Sequence, residues 1–358
     1  MSKKRQRFFY LLCCCMVLWQ SCVPPEEPGT NSGTNENWGD IKGIYILNEG
    51  VIDMNNSMLS YYDCQLGTLR RDIFKEVNHR GLGDTGNDLQ RYGQKLYVVV
   101  SRSEQLEILD IYTARSLAQV PLTGKQPRSI AFFRDKGYVS CLDGDVVQID
   151  TLTLSVEKIR YSGENPEGIH VANGKLYVAN SGGLNFPRYN QTLSVFSLPD
   201  LTLQKNIRVV ANPYVLASND VDNIYLVSRG NYEDIPYALQ RISTQVDSVI
   251  CQFEEAVLNF TLSGEALYVY HYDFNTRNSW LKKIHRFTGN PFPEQLIADG
   301  TRIETPYALA VNDVNGDFFI TDAHQFTVNG DLFCFDKNGK KKLQIEVGIN
   351  PSRVVLVK

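Results

Sequence analysis

Apolar and polar positions alternate along most of this chain in short runs, and one run recurs. A strongly apolar tetrapeptide with an aromatic at its second position is repeated as Ile44-Tyr45-Ile46-Leu47, Leu96-Tyr97-Val98-Val99, Gly137-Tyr138-Val139-Ser140, Leu176-Tyr177-Val178-Ala179, Ile224-Tyr225-Leu226-Val227, Leu267-Tyr268-Val269-Tyr270 and Phe318-Phe319-Ile320-Thr321. The seven aromatics are separated by intervals between 39 residues (Tyr138 to Tyr177) and 52 residues (Tyr45 to Tyr97). A short, almost wholly apolar run reads as a strand buried on both faces, and a period of this size is that of one propeller blade.

Two further signatures flank each copy. Before most of them a proline opens a run of small and apolar residues, at Pro127, Pro166, Pro213, Pro306 and Pro351. Proline suits the first residue of a strand, where no ladder donor is needed, and small residues suit a crowded innermost strand. Segments 83–89 and 257–262 occupy the same place without the proline. After each copy comes a third strand, often ending in an Asp that caps a turn, as at Asp63, Asp110, Asp150 and Asp336. A fourth, outer strand then leads to the next inner one. This unit resembles the YVTN-type propeller repeat. The predicted fold is all-β: a seven-bladed β-propeller of four-stranded blades over residues 41–358. The chain enters on an aromatic strand and ends on a proline strand, so one blade is shared between the two ends and closes the ring.

The amino-terminal 22 residues read as an address rather than a strand. Lys3, Lys4, Arg5 and Arg7 precede an apolar stretch from Phe8 to Trp19, too short to remain as a membrane-spanning helix. It ends Leu18-Trp19-Gln20-Ser21-Cys22, which resembles a loose bacterial lipobox, with Cys22 as the lipidated residue. Residues 23–40 are rich in Pro, Glu, Thr, Asn and Gly and are expected to form a disordered tether. The expectation is a lipid-anchored outer-membrane protein, exposed at the cell surface. Cys64, Cys141, Cys251 and Cys334 fall in different repeats with no CxxC spacing, which argues against zinc and a disulfide framework and for small apolar fillers. A net charge of −4 leaves no basic footprint for nucleic acid. A propeller closed on itself is expected to be monomeric.

In a propeller, the loop after each aromatic strand and the loop before each proline strand reach one face. The long loops there are 48–57, 180–191, 229–238, 270–280 and 322–330. They carry the candidate ligand-binding residues Asn55, Asn56, Phe186, Arg188, Tyr189, Arg229, Tyr232, Tyr237, Tyr272, Phe274, Arg277, Trp280 and Phe326; Tyr214 and Tyr307 follow strand-opening prolines on the same face. Aromatic faces with amide and guanidinium donors suit a large ligand with flat apolar area and many amide or hydroxyl groups. Catalytic patterns are lacking: the five His include no ligand pair at i, i+4, and there is no HExxH, G-x-S-x-G or Walker sequence. Asp313-Val-Asn-Gly-Asp317 lacks the downstream Glu of a calcium loop and reads as a hairpin turn. The triplets at Asp150 and Asp247 resemble an O-glycosylation acceptor and equally read as turns. No metal, cofactor or enzymatic activity is expected.

Gly43-Ile-Tyr-Ile-Leu-Asn-Glu-Gly50, Ser57-Met-Leu-Ser-Tyr-Tyr-Asp63, Gly81-Leu-Gly-Asp84 and Val347-Gly-Ile-Asn-Pro351 resemble the cell-surface propeller lipoproteins of gut anaerobes that capture cobalamin. The resemblance spans the mature domain and implies a small-molecule ligand, with cobalamin leading, and hand-off to a TonB-dependent outer-membrane transporter. It carries no ligand residue to a numbered position here. Two other readings stay open: a protein- or glycan-binding propeller with a flatter patch, and a propeller enzyme such as a lactonase or lyase with polar groups in its channel.

Overall fold

The computed structural model describes residues 36–358; the expected signal peptide, Cys22 and most of the expected tether lie outside them. Each repeated tetrapeptide is the second strand of a separate antiparallel sheet, seven sheets in all. Alternation explains why these strands are apolar throughout. In the strand Gly43–Asn48, Ile44 and Ile46 enter one inter-blade core, while Tyr45 and Leu47 enter the next. Seven such wedges hold the ring, and each contains one repeat aromatic: Tyr45, Tyr97, Tyr138, Tyr177, Tyr225, Tyr268 and Phe319, none more than 7% exposed. Burying a side chain of this size contributes about 2–3 kcal/mol, so the repeat aromatic is one of the larger single contributions to each wedge.

The inner strands are Gly86–Tyr92, Pro127–Phe133, Pro166–Ala172, Pro213–Ala217, Asn259–Ser263, Pro306–Val311 and Pro351–Val357. Each packs beside the next in that order, and Pro351–Val357 returns to Gly86–Tyr92, so the ring closes around a central channel. Blade 1 is the shared one: its strands run Pro351–Val357, Gly43–Asn48, Met58–Asp63, Thr68–Arg70 from channel to rim, with Ile46 opposite Val354. The other blades follow as blade 2 (86–121) through blade 7 (306–349). Cys64, Cys141, Cys251 and Cys334 are unpaired, and Cys64, Cys141 and Cys334 are buried.

Three details depart from the sequence expectation. Blade 6 has three strands, not four: Asn259–Ser263, Ala266–Tyr272 and Ser279–His285. Its outer position is touched only by a bridge between Ile284 and Pro291. The segment 286–305 contains Gly289, Pro291, Pro293 and Gly300, a composition that cannot supply a regular ladder. It crosses instead to blade 7, where the Ala298 N–H donates to the Gly339 carbonyl at 2.8 Å. A short helix, Ile73–Asn78, follows blade 1; Asp72 caps it, accepting from the Lys75 N–H at 3.2 Å, and Phe74 is fully buried. Trp38 is already part of the propeller: its ring lies 6.5 Å from Phe319 and 5.8 Å from Tyr62 in the wedge between blades 7 and 1. Packing therefore begins before residue 41.

Candidate functional site

The loops that reach the face opposite the tight Tyr-to-inner-strand turns come together as an aromatic arc over blades 4 to 7. Phe186 meets Tyr189 edge-on at 6.2 Å, Tyr189 meets Tyr232 at 5.8 Å, and Tyr232 meets Tyr237 at 6.1 Å. Tyr237 then abuts His271, which stacks on Trp280 at 5.8 Å. A second limb links Tyr272, Phe274, Phe326 and Tyr307, with Phe274 and Phe326 stacked at 6.2 Å. Centroid separations of this kind are the favoured geometry of aromatic pairs. Phe186, Tyr232 and Phe274 each leave more than half of their surface exposed, so the arc is an open apolar surface rather than a core.

Two cavities flank this second limb. A small one of about 50 Å³ lies at the channel mouth, against Glu49, Tyr214, Arg229, Asn259, Tyr307 and Arg353. A cleft of about 1180 Å³ opens where blade 6 lacks its outer strand, against Arg277, Trp280, Lys282, Phe292, Arg302 and His324. Tyr272, Phe274, Thr305 and Phe326 line both, so the aromatic limb is a ridge between them. Below the mouth the channel itself encloses about 510 Å³ between the inner strands.

Charge at the mouth is ordered in pairs. Arg128 Nε reaches Glu167 at 2.7 Å, and Arg353 Nε reaches Asp88 at 2.9 Å. The Tyr307 hydroxyl donates to Glu49 Oε2 at 2.8 Å, and the Tyr270 hydroxyl donates to the Tyr307 carbonyl at 2.6 Å. The Arg229 guanidinium carbon lies over the Tyr214 ring, 3.4 Å from its centroid. Burial pushes the Glu49 carboxyl upward, opposed by the Tyr307 hydrogen bond and by Arg353, Arg128 and Arg229. Burial, with the charge of Glu49 beside it, also holds the Tyr307 phenol well above its ordinary range. Deeper in the channel, burial lowers His170 to about 4, so it is neutral at physiological pH.

Most candidates from the sequence meet on this face, but not all in one place. Tyr214, Arg229, Tyr272, Phe274, Tyr307 and Phe326 surround the mouth; Arg277 and Trp280 belong to the cleft; Phe186, Tyr189, Tyr232 and Tyr237 form the arc's far limb. Arg188 is exposed beside Tyr189. Asn55 and Asn56 lie apart from the arc: the Asn56 side chain accepts from the Val51 N–H at 2.8 Å, and the Asn55 N–H donates to Asp84, so both shape their own loop. Glu49, Asp88, Arg128, Glu167, His170 and Arg353 were not foreseen. Of these, Arg128 and Glu167 had a signal in the chain: the position just after a strand-opening proline, which they share with Tyr214 and Tyr307.

Two weaker sequence motifs are accounted for locally. Asp317 is held by Lys342 at 2.6 Å, and its turn is a hairpin. The Thr151 hydroxyl is nearly buried and donates to the Asp135 carbonyl at 2.9 Å.

The family model of a domain of unknown function, DUF5074, matches residues 42–352. The chain belongs to this family. The DUF5074 match thus takes in every blade and ends on the first residues of the closing strand. No curated protein matches the sequence. Among solved structures, the DUF5074 propeller resembles a quinonprotein alcohol dehydrogenase-like protein from Bacteroides thetaiotaomicron, with a TM-score of 0.67 and 15% identity over 88% of this chain and 78% of that one. Hydrazine synthase from Kuenenia stuttgartiensis gives 0.58 at 14% identity, covering 73% of this chain and 86% of that one. The computationally designed Ika8 protein gives 0.57 at 11% identity, covering 88% and 91%. Identities this low show the fold alone. The fold admits enzymes and designed proteins alike, so function has to be argued from the site.

Proposed function

We propose that this propeller captures a large ligand with flat apolar faces and polar amide or hydroxyl groups, and that it acts by binding rather than by catalysis. The carrying observation is the ridge of Tyr272, Phe274 and Phe326, which is shared by the mouth and the 1180 Å³ cleft. Typical small-molecule sites enclose roughly 300–1,000 Å³; a surface that joins two cavities across stacked rings fits a ligand larger than a single sugar or nucleotide. Cobalamin is the leading candidate, on the family resemblance of the sequence. Under this reading a lipid on Cys22 and the following segment hold the propeller at the outer membrane, where it presents its ligand to a TonB-dependent transporter.

The test is calorimetry of the soluble propeller with cyanocobalamin. Saturable heat with a Kd below about 10 µM, a free energy near −7 kcal/mol, supports the reading. Absence of both heat and thermal shift at that concentration removes cobalamin.

One observation favours a second reading. Among the described residues, the outer side of Ser279–Lys282 in blade 6 has no backbone partner, the arrangement in which an extended segment of a protein partner adds a strand. Amide-exchange protection confined to 279–283 on adding the transporter would assign that edge to the partner rather than to a small ligand.

A further inference from the structure

We propose that the channel mouth is a primary-carboxamide subsite, in which Arg229 donates to the amide oxygen and Glu49 accepts from the amide nitrogen. The proposal deepens the capture reading by assigning one ligand group to one pair of residues.

The charges leave two groups unmatched. Arg128 is paired with Glu167 and Arg353 with Asp88. Glu49 and Arg229 line the same small cavity, yet neither has an oppositely charged partner within ion-pair distance among the described residues. Glu49 Oε2 is occupied by the Tyr307 hydroxyl, which leaves Oε1 without a donor. The Arg229 guanidinium has no acceptor, and its Nε is fully buried. Neither Glu49 Oε1 nor a terminal Arg229 nitrogen is sealed from the cavity, so both stay open to a ligand there, and a ligand that satisfies both gains more than one that satisfies either alone.

The groups are also held in place. The Tyr214 ring holds the Arg229 guanidinium carbon 3.4 Å from its centroid by a cation–π contact. Tyr307 is anchored through its own carbonyl by the Tyr270 hydroxyl at 2.6 Å, and it orients Glu49 in turn. The cavity of about 50 Å³ is the right size: one water needs roughly 10–15 Å³ on this measure, so three to five water-sized atoms fit, as in an amide head. A carboxylate would satisfy Arg229 but meet the charge of Glu49. An amidinium or ammonium would satisfy Glu49 but meet Arg229. A carboxamide offers an acceptor to one and a donor to the other, while its carrier lies against Tyr272, Phe274 and Phe326.

Three nearly isosteric probes separate these cases: benzamide (neutral), benzoate (anionic) and benzamidine (cationic). Each is titrated against the full-length chain by saturation-transfer NMR, where probes of this size bind in about the millimolar range. The expected order is benzamide first, by about tenfold over each of the others, which is about 1.4 kcal/mol. In Glu49→Gln, benzoate gains and benzamidine weakens. In Arg229→Gln, benzamidine gains over benzoate. Opposite responses from two variants cannot arise from a shared loss of folding. Equal binding of the three probes, no binding of any of them, or an order that neither variant changes would overturn the proposal. Cyanocobalamin failing to bind while the benzamide preference stands would count against cobalamin and leave the subsite intact.

Discussion

The side-chain oxygen of Asn48 accepts the backbone N–H of Gly348 at 2.8 Å, across 300 residues of sequence. Asn48 ends the second strand of blade 1 and is fully buried, and its amide also donates to Ser60 at 2.9 Å. Gly348 has no room for a side chain there: a Cβ would lie 2.7 Å from Asn48 Cγ. The contact ties blade 7 to blade 1 just before the closing strand begins, so the two ends of the described chain are locked by side chain as well as by sheet.

Deleting residues 351–358 should therefore unfold the protein rather than loosen one blade. The closing strand is the inner strand of blade 1 and fills the ring between blades 7 and 2. Its loss exposes two wedges at once, including the one built on Phe319 and Ile46. The expected result is loss of the cooperative thermal transition by circular dichroism. An unchanged melting temperature would contradict ring closure.

Gly168→Ala should destabilise by about 1–3 kcal/mol, the usual range for overpacking. A Cβ at Gly168 would lie 2.2 Å from the Tyr214 carbonyl oxygen, on the neighbouring inner strand. Relief requires Tyr214 to move, and Arg229 stacks on that ring. The variant should thus lose both denaturant midpoint and ligand affinity, whereas a remote surface change would alter neither.

Stability should fall as the pH drops from about 6.5 to about 4, with His170 as one identifiable cause. Burial lowers its folded pKa to about 4. In that window the unfolded chain binds a proton that the folded chain does not, so acid favours unfolding and the contribution is fully present only above the unfolded value. The side chain still touches channel space, which reduces the effect to about 2 kcal/mol from the roughly 3 kcal/mol that full burial implies. His170→Gln should flatten this part of the urea-midpoint profile.

Phe274→Ala should weaken ligand binding by about tenfold or more while leaving the melting temperature nearly unchanged. Phe274 is 56% exposed, so little core is lost. Its partner in the ridge, Phe326, would lose one stacked face, worth about 0.5–1.5 kcal/mol in its own right. Calorimetry of the variant beside its thermal melt separates binding from folding.

The ring itself was legible in the chain because its cause is local and repeated. A strand buried on both sides must be apolar at every position, and seven such runs at blade spacing leave few alternative folds. The Tyr45-to-Phe319 series marks every wedge, and the proline at 351 marks the closing strand. The missing outer strand of blade 6 was not legible because Tyr268 and Phe319 lie 51 residues apart, within the range of the other intervals.

The site was legible as a list and not as an arrangement. Loop length and aromatic content placed Tyr232, Phe274 and Phe326 on one face, since each depends only on its own blade. Arg229 stacks on Tyr214 of its own blade, but that it meets no acid, and that Glu49 of blade 1 meets Tyr307 of blade 7, depends on how the other blades surround the mouth. Side-chain pairing at the centre of a ring is fixed by distances between strands far apart in sequence, and those exist only once the circle has closed.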